Sequence, residues 1–170
     1  MADTIETQNG PSAVDQTGNL TIWAVAGRTI SQSAPTVTLI GGTSVFRVTY
    51  SFTTSGWTLT APQEKLPDER LTAIQIRESL GRVTPALADL AYVDSSESGS
   101  AAVVLAAGGA FQFIERRNIA QTIVATIGQK VRVINVNLGP QAPGPTAGDG
   151  KFTYTQAVAM DSLGELVALA

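Results

Sequence analysis

The chain has 170 residues, 11 basic and 14 acidic side chains, a formal net charge of −3, and neither cysteine nor histidine. The two absent residue types exclude disulfides, thiolate chemistry, a Ser-His-Asp arrangement and most zinc sites. A mildly acidic chain without a long basic run also has no electrostatic footprint for tight nucleic-acid binding.

The length suits one domain, read as a flexible arm over residues 1–18 followed by a single β-rich domain over 19–170. Charged residues make up only 15% of the chain, so part of the exterior is expected to be hidden in an oligomer. The start MADTIETQNG lacks the basic and apolar regions of a signal peptide, and no run reaches transmembrane length. The expectation is therefore a chain made soluble in a cytoplasm, with no membrane partner.

Leu20 to Val25 alternate as a first strand, broken by Gly27, and Ala34 to Thr43 reads as a turn with a short apolar run. Ser44 to Phe52 has the cleanest alternation, Phe46, Val48, Tyr50 and Phe52 against Val45, Arg47, Thr49 and Ser51, and is expected to be a half-buried strand. Trp57 and Leu59 mark a short strand. Ala61 to Arg70, with two prolines and five charges, is expected to be an exposed loop, either functional or an interaction arm. Thr72, Ile74 and Ile76 mark the next strand, and Arg82 to Val93 another.

From Ser96 the period changes. Ala101, Val104 and Leu105 recur at helical spacing between a serine cap and the Gly108-Gly109 stop, which gives the only expected helix. The stretch from Gly108 to Gly139 organises the rest. Phe111 and Phe113 oppose Gln112 and Ile114, while Val131, Val133, Ile134, Val136 and Leu138 form a nearly continuous apolar strand covered on both sides. Arg116 and Arg117 are read as a solvated or ion-paired strand end. Residues 139–150 are expected to be a long loop, Phe152 to Met160 a strand, and Leu166 to Leu169 a last short one. The sum is mainly β, a sandwich or barrel with one short α-helix.

Candidate chemistry is sparse. Gly41-Gly42-Thr43-Ser44 lacks the lysine and helix of a phosphate loop. Asp68 and Glu69 are adjacent and diverge in extended chain, and Asp89, Asp94 and Glu97 lack calcium-loop spacing. Trp23, Trp57, Tyr50 and Tyr154 are assigned to strand faces and core packing. No catalytic, cofactor-binding or metal residue is identified, so the chain is not expected to be an enzyme.

An ordered set of short motifs resembles the major tail protein family of long-tailed siphophages, especially those of actinobacterial hosts. The matching pieces are Asp68-Glu69-Arg70, Gly81 to Pro85, Leu90 to Asp94, the helix closing at Gly108, Phe111 to Arg117, and Gly128-Gln129-Lys130-Val131 running to Leu138-Gly139. The Ala34-Pro35-Thr36 turn and the Lys151 to Gln156 strand extend the resemblance to most of the chain. It implies a tail-tube fold whose strands join across protomers into a ring barrel. It further implies hexameric rings stacked into a tube, on a tape-measure protein and beside terminator and distal tail proteins, with DNA passing through the lumen without specific binding. The location implied is the virion tail, assembled in the host cytoplasm. Glu64, Lys65, Asp68, Glu69 and Arg70 are then expected at an inter-ring interface. Two alternatives stay open: another ring former, such as a tail terminator or secretion-system tube subunit, and a monomeric β-sandwich binding module.

Overall fold

The computed structural model describes residues 13–68, 75, 77–145 and 150–170 of the chain. Its elements are β1 (Leu20–Ala26), α1 (Val37–Ile40), β2 (Val45–Arg47), β3 (Leu59–Thr60), β4 (Gln63–Asp68), β5 (Arg77–Val83), β6 (Ala86–Leu87), β7 (Leu90–Val93), α2 (Ala101–Val104), β8 (Gly109–Arg117), β9 (Lys130–Pro143), β10 (Thr153–Leu163) and β11 (Val167–Ala168). The protein is mainly β, a curled half-barrel sheet with two short helices. The central sheet runs β2-β1-β8-β9-β10-β7, with β11 also paired to β9, and two small hairpin-like pairs, β3-β6 and β4-β5, lie off it. All of these pairings are antiparallel.

Side-chain alternation divides the buried residues between the two faces of this sheet. On one face Ile22, Ala24, Phe111, Phe113, Ile134, Val136 and Leu138 pack with Tyr92, Leu90 and the α2 residues Ala101 and Ala102. On the other, Trp23, Val25, Ile114, Val131 and Val133 pack under Ile30, Ile40 and Leu169. Strands β8 and β9 therefore have apolar cover on both sides, as their sequence demands, and each large side chain buried there stabilises the fold by roughly 1.5–3 kcal/mol.

Polar side chains fasten the covers to the sheet. Gln112 is buried and holds the segment after β1: the Ile30 N–H donates to its Oε1 at 2.8 Å and its Nε2 donates to Ile30 O at 2.8 Å and Asn135 Oδ1 at 2.9 Å. On the α2 side, the Tyr92 hydroxyl donates to Gln156 Oε1 at 2.9 Å and accepts from Gln141 Nε2 at 2.8 Å. Gln141 also donates to Ala102 O, and Gln156 to Leu105 O and Gly139 O, so this trio pins α2 against the sheet. The C-terminal residues close the opposite face, where Ala170 exchanges backbone hydrogen bonds with Pro35 and Val37, and Leu169 with Gly128 and Gln129.

Several expectations change. The Ser44–Phe52 strand stops at Arg47, because Val48 turns inward and Thr49–Ser51 form a 3-10 turn. Thr49 Oγ1 engages both the N–H and the carbonyl of Ile22, so a side chain substitutes for the strand ladder, and Tyr50 is left exposed. A second helix, α1, forms where only a turn and apolar run were read, its Leu39 N–H capped by Thr36 Oγ1 at 3.4 Å. The expected Arg82–Val93 strand is divided among β5, β6 and β7, and Leu87, Leu90 and Tyr92 share one core cluster.

The 139–150 loop is shorter than expected, since β9 runs to Pro143. Gln141 pairs with Gln156 but Leu138 with Val158, which places an irregularity at Gly139-Pro140, where a missing N–H is tolerated. Residues 146–149 of that loop, the Thr72, Ile74 and Ile76 positions, and residues 1–12 of the arm lie outside the described residues.

Candidate assembly surfaces

The segment read as a loop over 61–70 contains a strand. Gln63 to Asp68 pairs with Arg77 to Val83 in register Lys65↔Leu80, Leu66↔Ser79, Pro67↔Glu78 and Asp68↔Arg77. Proline and charge concealed it: a two-stranded ribbon has a free outer edge on each strand, where Pro67 needs no donor, and neither face demands apolar residues. Lys65, Pro67, Glu78 and Leu80 share one face; Leu66, Asp68, Arg77 and Ser79 share the other. Every residue from Gln63 to Pro67 and from Arg77 to Leu80 is exposed, with Leu80 72% open to solvent.

The expected interface residues separate along this arm. Glu64 lies over Gly81, where a Cβ would meet the Glu64 side chain at 3.2 Å. Lys65 pairs with Glu78 at 3.6 Å, both well solvated, so the ion pair adds little stability. Asp68 sits opposite Arg77. Glu69 and Arg70 lie outside the described residues.

A second surface was misread. Arg116 is not a solvated strand end; it is fully buried, whereas Arg117 is exposed and its Nε donates to Glu115 Oε1 at 2.5 Å. The Arg116 guanidinium sits 5.2 Å from the centre of the Trp23 ring and donates to Gln129 Oε1 and Ile123 O at 2.8 Å each, with longer bonds to Thr21 Oγ1, Ala120 O and Val124 O. Burial first, and then the Arg47 charge, pushes its pKa below the ordinary guanidinium value. The loop after β8 is thereby wrapped around one cation, and Ile123, Val124 and Ile127 are turned outward, Ile127 to 78% exposure.

Parity held a signal for this arrangement. Arg116 shares a face with Gln112 and Ile114, and the apolar Val131 and Val133 on the adjacent strand require that face to be covered. Arg117 belongs to the other face.

Below that loop opens a cleft of about 780 Å³, lined by Glu115, Arg117, Asn118, Ile119, Ile127, Gly128, Gln129, Lys130, Arg132 and Leu166. Asn118 turns the chain off β8 with φ 62°, a left-handed conformation asparagine tolerates. Arg132 Nε is buried without a hydrogen-bond partner among the described residues. An adjoining recess of about 580 Å³ shares Glu115, Arg117 and Asn118 and is walled by Val14, Asp15, Gln16 and Trp57. The described residues contain no group of three or more acidic side chains placed to hold a metal ion.

No curated protein matches the chain. The family model described as "Phage tail tube protein" matches residues 7–169, a span that takes in the half-barrel, the β4-β5 arm and the loop after β8. The chain therefore belongs to the phage tail tube protein family, structural proteins of the virion tail that oligomerise and assemble with other tail proteins.

Proposed function

We propose that this chain is the repeating subunit of the tail tube of a long-tailed phage: hexameric rings stack around a tape-measure protein in the host cytoplasm, and DNA leaves through the lumen. The β4-β5 arm carries this reading. A lone two-stranded hairpin is marginal in water, and both faces of this one are exposed. Its outer edges also have no strand partner among the described residues. Docking on a neighbouring copy supplies the missing partner, joins strands across protomers, and uses Glu64, Lys65, Asp68, Glu69 and Arg70 between rings. Repeated head-to-tail contacts close a ring or extend along an axis. An excess of acidic side chains keeps passing DNA from adhering to the wall.

Negative-stain microscopy of purified protein across a concentration series tests the assembly. Stacked tubes are the expected result; rings that never stack would indicate a terminator-like role, and monomers at every concentration, with tape-measure protein present, would overturn the proposal. For the arm, the Leu66→Asp/Leu80→Asp variant should unfold like the parent, since both side chains are solvated, yet fail to form tubes. Normal tubes from that variant would remove the arm from the interface.

A further inference from the structure

The cleft under the loop after β8 combines two features. Among the described residues lining it, Arg117, Lys130 and Arg132 face one acid, Glu115, which already pairs with Arg117. Beside them Ile127 and Leu166 are 78% and 53% exposed although they line a recess. The chemistry selects an acidic segment with an aliphatic residue among its carboxylates.

One such segment belongs to this chain. Residues 1–27 contain Asp3, Glu6 and Asp15 and no basic side chain before Arg28, and Ile5 lies between the first two acids. The arm of residues 1–12 joins the described chain at Ala13, beside the recess that shares Glu115, Arg117 and Asn118 with the cleft. Twelve residues span at most about 40 Å, enough to leave one protomer and enter another.

We propose that the Arg117-Lys130-Arg132 cleft seats the amino-terminal arm of a neighbouring copy, with Asp3 and Glu6 against the cations and Ile5 against Ile127 and Leu166. The neighbour is assigned because the seat rests on the assembly reading above; the binding chemistry itself does not require a finished tube.

The test uses a fluorescent peptide of residues 1–12 added to the full-length protein at concentrations where it is unassembled. Saturable binding that weakens with salt is expected, reduced at least tenfold by Lys130→Glu and further by Lys130→Glu/Arg132→Glu. A peptide with Asp3→Lys and Glu6→Lys should fail on the parent and bind the doubly reversed protein, a rescue that a merely structural role of Arg132 would not produce. Equal binding to parent and Lys130→Glu protein, or none to the parent, would overturn the seat.

Because the chain has no cysteine, a second readout is clean. Thr4→Cys protein mixed with Ile127→Cys protein and mildly oxidised should give covalent dimers beyond those of either protein alone. A chain carrying both substitutions that cross-links only within itself would overturn the assignment to a neighbour. Peptide binding without tubes would leave the seat standing and remove the tube reading; tubes without peptide binding would do the reverse.

Discussion

Replacing Arg116 with methionine keeps an unbranched side chain of similar reach while removing the donors that shape the loop after β8. Ile123 O and Gln129 Oε1, each 2.8 Å from the guanidinium, lose their charged partner. Ala120 O keeps the Ile123 N–H, Val124 O keeps Gln129 Nε2, and Thr21 Oγ1 keeps Arg47, so those three are not orphaned. Two charge-assisted bonds at roughly 1.5–3 kcal/mol each give a gross loss of about 3–6 kcal/mol. Relief from burying a cation offsets part of it, leaving a net cost of about 3 kcal/mol. For a domain of this size that lowers Tm by roughly 6–12 °C. Thermal and urea unfolding at a concentration where the protein is shown to be monomeric avoids the stabilising effect of assembly. Lys65→Met is the control, with an expected loss under about 1 kcal/mol because both partners of its ion pair with Glu78 are solvated. Hydrogen exchange should also accelerate across residues 120–129 in the Arg116 variant alone. Arg116→Met and Lys65→Met variants of equal stability, with unchanged exchange in the loop, would refute the view that Arg116 organises it.

Two further outcomes follow from close packing and burial. At Gly56 an added Cβ would lie 1.8 Å from the backbone carbonyl of Ala91, so Gly56→Ala forces the backbone segments apart and should cost about 3 kcal/mol in urea unfolding, the upper end for overpacking; near-parent stability would contradict this contact. The Tyr92 hydroxyl has its pKa raised to about 12, chiefly by burial and slightly by Tyr154, against a lowering from Gln141. A raised folded-state value means that its contribution is fully present below pH 10 and is lost as pH rises toward 12, a difference of about 2–3 kcal/mol. Subtracting the pH profile of Tyr92→Phe from that of the parent isolates this loss, and parallel profiles between pH 10 and 12 would contradict it.

The parts of the fold readable in advance were those where one physical demand dominated. Phe111 and Phe113 against Gln112 and Ile114, and the double-sided apolar run of β9, permit little besides central strands. The Ser44–Phe52 stretch failed because its alternation competes with hydroxyls: Thr49 finds its partner in Ile22, 27 residues away in sequence, and the strand yields to a turn. At 61–67 the sequence showed exposure but not conformation, since a ribbon solvated on both faces has no hydrophobic period to read. The arginine pair shows a different limit. Adjacent identical residues have identical propensities, and only the covering of one face, supplied by α1, the loop after β8 and the C-terminal residues, separates a buried hub from a surface charge. The cleft was not legible, because Glu115, Lys130, Arg132 and Leu166 meet only through the β8-β9 register and the return of the C-terminal segment.

The uneven distribution of open strand edges has a consequence for the unassembled subunit. The central sheet ends in β2 and β7, of three and four residues, and the chain leaving β2 crosses to place Phe52 in a bridge beside Tyr92. Such brief termini give a wandering strand little to recruit, which guards against indiscriminate annealing of newly made chains. Among the described residues, longer open edges lie on the β4-β5 ribbon, whose strands of six and seven residues pair only with each other. In the assembly proposed above, adhesiveness is thereby carried by the ribbon, and the arm determines where the next copy is accepted.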